Sequence, residues 1–222
     1  MGGRRIVVAV DGPAGSGKSS VSREAARRLG LRYIDSGAIY RAVTHYLLGR
    51  LGSLEKGRSY AGFLDGLVIG QSFDPDGSVR TTVNGLDVSR AIRDETIARN
   101  IGTVSDDPGV RNYVNALLRS WSARESLIMD GRDIGTVVFP DAAVKIYLDA
   151  SAEVRSLRRA AEYREMGKTV DVNEIRNQII RRDQEDTARP FGRLQKAEGS
   201  FYMDTSSMEK EEVIERIIDL IA

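Results

Sequence analysis

A chain of 222 residues accommodates one α/β domain with an insert or two and is short for two independent cores. Hydrophobic residues at 41% and charged residues at 29% describe an ordinary globular protein and exclude a disordered or fibrous one. Lys plus Arg (33) against Asp plus Glu (32) leaves a net charge of +1, which excludes a global field drawing the chain to nucleic acid or anionic membrane, so any recognition of phosphate is local.

The absence of cysteine removes disulfide frameworks, thiol nucleophiles and thiolate zinc sites, and it fits a reducing cytoplasm, the expected location. The basic start leads into an apolar run, residues 6–10, that is too short for a signal sequence and stops at Asp11. Ile6 stands where a myristoylation signal needs Ser or Thr, and no stretch approaches the roughly 20 apolar residues of a membrane span.

In chain order, residues 5–10 predict the first strand, a glycine-rich loop follows at once, and a helix runs from about 18 to 29. The loop, Gly12-Pro13-Ala14-Gly15-Ser16-Gly17-Lys18-Ser19, fits the phosphate-loop pattern in the strand-to-helix context that gives the pattern its mechanism. Its glycines let successive N–H groups turn inward as an anion nest, and the helix adds the positive end of its dipole. Lys18 then reaches the β- and γ-phosphates, Ser19 offers its hydroxyl to Mg²⁺, and Ser20 completes the ATP-binding stretch.

Further apolar runs at 31–34, 127–129, 143–148 and 201–203 are separated by helix-patterned sequence, and five strands alternating with helices predict a parallel sheet with right-handed crossovers. Residues 67–73, the turn Asp74-Pro75-Asp76-Gly77, residues 79–83 and the turn Asn84-Gly85 predict a small β-rich insert. Residues 151–195 read as helical and arginine-rich, with the break at Gly167; residues 151–196 hold 11 basic and 8 acidic side chains, 11 − 8 = +3. Solvated faces with i,i+4 pairs account for many of those arginines equally well.

Three more strings accompany the loop: Asp35-Ser36-Gly37-Ala38-Ile39-Tyr40-Arg41, Asp130-Gly131-Arg132-Asp133-Ile134-Gly135-Thr136-Val137-Val138-Phe139-Pro140, and Arg182-Asp183-Gln184-Glu185-Asp186-Thr187-Ala188-Arg189. Together the four resemble bacterial cytidylate kinases over nearly the whole chain. The resemblance implies an α/β P-loop nucleoside monophosphate kinase fold: a five-stranded parallel sheet flanked by helices, a β-rich insert and a helical lid. It implies one domain, with a core at about 1–36, 106–150 and 196–222, a monophosphate-binding region at 37–105 and lid and ribose-binding helices at 151–195. The reaction implied is transfer of the ATP γ-phosphoryl group to CMP or dCMP with Mg²⁺, by a monomer that needs neither nucleic acid nor membrane.

By the same resemblance, Ser36, Arg41, Arg132 and Arg189 hold the acceptor phosphate, which suits a hydroxyl and planar cationic clamps. Lys18, Arg132 and Arg189 are the implied catalytic residues. Arg182 and Asp186 hold the ribose, although four-residue spacing on a helix also suits an ordinary salt bridge. Asp133 reads cytosine through its N4 amino group and Arg111 donates to the O2 and N3 side; an Asp facing uracil would oppose two acceptors. A magnesium or helix-capping role for Asp133 is the alternative. The family's usual serine nine residues before the base-reading arginine is here Gly102, leaving Thr103 or Ser105 to take its place. Asp130 is expected to hold a magnesium-bound water as a Walker-B carboxylate does. Among the lid arginines 155, 158, 159 and 164, Arg158 and Arg159 are the expected ATP contacts.

No Asn-Lys-x-Asp string marks a GTP switch, and the chain is too short for a large motor ATPase. Two rival classes stay open: a P-loop kinase of the same fold acting on UMP or another small acceptor, and a catalytically silent nucleotide-binding regulator. His45, the only histidine, suits packing or surface better than catalysis.

Overall fold

In the computed structural model, which describes residues 5–73, 78–165 and 167–221, the apolar runs become the middle of a sheet. Strand β1 (Val7–Asp11) lies between β6 (Leu127–Gly131) and β7 (Val144–Asp149) and pairs in parallel with both, Val8 standing against Ile128 and Val144. Strand β8 (Phe201–Asp204) continues in parallel beyond β7, and β2 (Arg32–Asp35) lies beyond β6, giving the order β2-β6-β1-β7-β8. Val8, Ala9, Val10, Leu127, Ile128 and Met129 are wholly buried. A strand covered on both faces needs apolar side chains at every position, which is why these runs are continuous rather than alternating. All five predicted strands form; the first begins two residues later than expected and ends on Asp11.

Because β1 has neighbours on both sides reached by crossovers in opposite directions, the C-terminal ends of β1, β6 and β7 flank the sheet's switch point, where ligands of open α/β sheets bind. Register places Asp11 beside Gly131 and Tyr147 there.

By their internal contacts the residues divide into two units. The first, residues 1–33 and 125–222, carries β1, β6, β7, β8, helix α1 (Lys18–Leu29), α5 (Ala152–Glu165), α6 (Val172–Ala188) and α7 (Lys210–Asp219). Arg28 of α1 pairs with Glu211 and Glu215 of α7, each at 2.6 Å. Helices α5 and α6 close a small core of Ala160, Ile175 and Ile179 under Tyr163 and Val172, and the chain turns between them at Gly167 (φ 74°).

The second unit, residues 34–124, carries α2 (Ser36–Leu51), the antiparallel strands β3 (Ile69–Phe73), β4 (Val79–Val83) and β5 (Leu86–Asp87), and helices α3 (Glu95–Ser105) and α4 (Pro108–Ser122). The insert is therefore a three-stranded sheet, with β5 added to the two expected strands. Its second turn has Asn84 and Gly85 at φ 49° and 83°, the conformation a tight hairpin demands. The first turn, residues 74–77, lies outside the described residues, as do residues 1–4, on which the export and myristoylation expectations partly rest. Helix α4, expected with the core, goes by its contacts with the second unit. Asp107 at its start accepts hydrogen bonds from Tyr60 N (2.6 Å), Gly109 N (2.6 Å) and Val110 N (3.0 Å), binding the helix to its own neighbours. Among the described residues no helix is long and apolar enough to cross a membrane.

Candidate active site

The loop between β1 and α1 holds its shape through glycine. A Cβ at Gly12 would overlap the Leu148 carbonyl of the neighbouring strand, and Gly15 and Gly17 sit at φ 77° and 85°. Helices α2, α3, α4 and α6 each begin on an aspartate whose side chain accepts a first-turn N–H. Helix α1 begins on Gly17 with no side-chain cap, which leaves its first amides and its dipole to an anion. The Ser16 hydroxyl, 1% exposed, has no hydrogen-bond partner among the described residues. A buried hydroxyl without a partner is what a site made for a phosphate oxygen leaves behind.

Lys18, at the head of α1, donates from Nζ to Pro13 O at 2.9 Å and is 5% exposed. Burial, then the positive charge of Arg132, pull its pKa down, while the carboxylates of Asp130, Asp11 and Asp186 pull the other way. Ser19 donates its hydroxyl to Asp130 Oδ2 at 2.6 Å, and Tyr33 on β2 donates to Asp130 Oδ1 at 2.7 Å. A serine hydroxyl beside a buried carboxylate at the end of a strand offers oxygen ligands of the kind Mg²⁺ takes, an ion that keeps waters and phosphate oxygens as its remaining ligands. No group of three or more His, Cys, Asp or Glu residues that could cage a metal occurs among the described residues.

Asp11, on the last residue of β1, accepts from Ile134 N (2.8 Å) and Gly135 N (2.7 Å). Those amides belong to a π-helical turn (Ile134–Val138) that starts immediately after Asp133. Burial, opposed by the two amides, raises the Asp11 pKa from 3.8 to about 7. Asp11 thus fixes the backbone that presents Asp133, itself 5% exposed.

In the same unit Asp186, completely buried, gathers three arginines: Arg132 Nε on Oδ2 at 2.8 Å, Arg189 Nη1 on Oδ1 at 3.0 Å and Arg182 Nε on Oδ1 at 3.2 Å. Burial is the largest influence on the Asp186 carboxyl and would raise its pKa, yet the three guanidiniums together hold it below the ordinary value of 3.8. The i,i+4 pair of Arg182 with Asp186 is real, and it is one limb of a larger cluster. Holding Asp186 through Nε leaves Arg132 with donors on its η nitrogens, one of which reaches Gly131 O at 3.2 Å.

The sequence favours Arg158 and Arg159 as ATP contacts, and in the structure both side chains have partners within the protein. Arg158 donates to Thr205 O (2.7 Å) and Oγ1 (3.2 Å), and Arg159 pairs with Glu162 (2.8 Å) and lies over the Tyr163 ring at 4.6 Å. The lid arginine whose side chain bonds the phosphate loop is Arg155, on Ala14 O at 2.9 Å. Asp11, Tyr33 and Asp183 are likewise contributors that the motifs do not single out.

In the second unit, Gln71 of β3 accepts from Asp35 N (2.8 Å) and donates to Asp35 O (3.2 Å), so the insert pins the start of α2 where Ser36 is buried and Arg41 follows. Arg111, 5% exposed, donates from Nη1 to Ser105 O (3.1 Å) and lies over the Tyr40 ring at 5.6 Å. The Ser105 hydroxyl donates to Gly102 O at 3.2 Å, so Ser105 neighbours both Arg111 and Gly102.

The strand–loop–helix with its open anion nest, the buried lysine and the Ser19–Asp130 pair define a P-loop phosphotransferase. The sequence model of the family described as Cytidylate kinase matches residues 8–222. Cytidylate kinases of Geobacillus sp. (strain WCH70) and Carboxydothermus hydrogenoformans are each 39% identical to the chain, over 97% of it and 96% of the first and over 96% of it and 96% of the second. A bifunctional pantoate ligase/cytidylate kinase of Gloeobacter violaceus is 39% identical over 98% of the chain and 43% of that protein. Among solved structures, an uncharacterized protein from Eubacterium ventriosum ATCC 27560 superposes with a TM-score of 0.53 at 12% identity, covering 98% of each chain, a likeness of fold alone. The chain belongs to the cytidylate kinase family.

Proposed function

We propose that the protein transfers the γ-phosphoryl group of ATP to CMP or dCMP, giving ADP and the corresponding diphosphate. The observation that carries this reading, beside the family membership, is the cluster of Arg132, Arg182 and Arg189 on one buried carboxylate in the unit that holds the phosphate loop. A silent nucleotide-binding protein has no use for oriented guanidiniums held ready for a second nucleotide.

An oxygen of the acceptor phosphate forms the new bond to the γ-phosphorus as the bond to the bridging oxygen of ADP breaks, so the protein's work is alignment and charge neutralisation. The loop residues from Ala14 to Gly17 present amides to the donor phosphates after the turn at Gly12 and Pro13, and Ser20 follows them in α1. Lys18 spans the β- and γ-oxygens once its bond to Pro13 O is exchanged for them. Ser19 and Asp130, the latter oriented by Tyr33, would hold Mg²⁺, which when bound neutralises charge on the β- and γ-oxygens. Arg132 and Arg189 bind the acceptor phosphate, while Arg182 and Asp186 take the ribose hydroxyls. Ser36 and Arg41 add a hydroxyl and a guanidinium for the same phosphate. Asp133 and Arg111 read the cytosine edge, with Ser105 the better-placed replacement for the missing serine. Helices α5 and α6 form a lid that keeps water from intercepting the phosphoryl group, with Arg158 and Arg159 turning to the triphosphate on closure.

The test is an ADP-release assay coupled to NADH oxidation over CMP, dCMP, UMP and AMP with ATP and Mg²⁺. CMP and dCMP should turn over well ahead of the others. Faster turnover of UMP or AMP would reject the base readout, and no turnover with any monophosphate would reject the kinase.

A further inference from the structure

Arg155 lies on α5, three residues after the helix begins at Ala152, and its guanidinium serves three acceptors at once. Nε donates to Ala150 O at 2.8 Å, Nη1 to Ala14 O at 2.9 Å and Nη2 to Asp183 Oδ2 at 2.7 Å. The residue is 5% exposed, and its Cβ lies 3.4 Å from where a side chain at Gly15 would begin, so the strap passes directly over the phosphate loop. One planar group thereby joins the chain leaving β7, the turn of the loop, and helix α6.

In a planar trans peptide the carbonyl of one residue and the N–H of the next point in opposite directions. Holding the Ala14 carbonyl on Arg155 therefore aims the Gly15 N–H to the opposite side of that peptide, away from the guanidinium. Asp183 lies next to Arg182 and three residues before Asp186, so its bond to Arg155 also fixes the rotation of the helix that carries the arginine cluster.

We propose that Arg155 is a positioning residue for the donor nucleotide: it sets the Ala14–Gly15 peptide for phosphate and, through Asp183, ties the phosphate loop to α6. This rests on reading the loop as the nucleotide site and is independent of which monophosphate accepts the phosphoryl group. Arg155→Lys keeps the charge and replaces a fork that spans three acceptors with a single ammonium that cannot.

The experiment is calorimetric titration of ATP and of ADP, each with Mg²⁺, into the wild-type protein, Arg155→Lys, Asp183→Ala and the double variant, with far-UV circular dichroism and a thermal scan to establish folding. Arg155→Lys should weaken ATP and ADP by the same factor, about tenfold, the loss of one well-aimed bond to a charged phosphate, because the loop amides address oxygens common to both. The double variant should bind ADP no worse than Arg155→Lys alone. Weakening of ATP with ADP unchanged would overturn the proposal in favour of direct contact with the γ-phosphate. Unchanged binding of both by folded Arg155→Lys would leave only a structural tie, and full additivity of the two substitutions would refute the link through Asp183. Since ADP binding needs no acceptor, a protein that failed to phosphorylate CMP would overturn the proposed function without touching this result.

Discussion

Replacing Asp186 by Asn keeps the shape of the side chain and removes the charge around which Arg132, Arg182 and Arg189 are assembled. Removing one partner of a buried ion pair costs about 3–5 kcal/mol. Here the carboxylate is completely buried, but the Arg132 and Arg182 side chains are 24% and 29% exposed and recover part of their hydration, which brings the figure to about 2–3 kcal/mol. For a chain of this size each kcal/mol moves the melting temperature by about 2–4 °C, so a fall of roughly 5–10 °C is expected. Inorganic phosphate at millimolar concentration should restore part of the loss in Asp186→Asn by supplying the missing negative charge. In the coupled assay KM for CMP should rise at least tenfold, with KM for ATP within about twofold of wild type. The folded-state pKa of Asp186 is depressed, so its stabilising contribution is present above the unfolded value of 3.8 and is lost as pH falls through the lower folded value. The melting-temperature gap between wild type and variant should therefore close in strong acid. A gap below 1 °C at neutral pH together with an unchanged KM for CMP would refute the assembling role of Asp186.

Asp133→Asn should raise KM for CMP and dCMP more than tenfold while calorimetric ATP affinity stays within about twofold; an unchanged CMP affinity would remove Asp133 from base readout. For Asp11, whose pKa is raised from 3.8 to about 7, the native state holds an extra proton between those values and stability from this group declines as pH rises through that window. The stability advantage of wild type over Asp11→Asn should accordingly shrink from pH 4 to pH 7, and thermal scans showing a constant or widening advantage would contradict it. Because burial and Arg132 depress the Lys18 pKa and a polyphosphate would raise it again, ADP binding at pH 8 should be accompanied by proton uptake. Titrations in buffers of different ionisation enthalpy measure that uptake, which should vanish in Lys18→Met; equal uptake in both proteins would assign the proton elsewhere.

The sheet was legible because each strand buried on both faces is a continuous apolar run, and the phosphate loop was legible because positive φ demands Gly15 and Gly17 and the close approach of Leu148 O demands Gly12. Strand β5 was not, since two exposed residues, Leu86 and Asp87, carry no periodicity. The π-helical turn after Asp133 was also hidden, because what shapes it is the Asp11 carboxylate more than 120 residues earlier in the chain. The lid arginines show the same limit. Arg155, Arg158 and Arg159 are spaced three and four residues apart and share a helix face, so spacing alone cannot say which one meets the loop. The choice is made by the phase in which α5 leaves β7, fixed by Arg155 Nε on Ala150 O.

A net charge of +1 leaves the recognition of two polyanions to local groups. The buried groups explain how the protein manages. Asp130 takes the Ser19 hydroxyl, Asp183 takes Arg155 and Asp186 takes three arginines, so these arms are already oriented by carboxylates of the protein's own. A carboxylate in this role lowers the ordering entropy lost when phosphate arrives and keeps the arms from repelling one another beforehand. Attraction is thereby confined to the distance of a hydrogen bond. A nucleotide whose oxygens match the oriented donors is what such an arrangement selects.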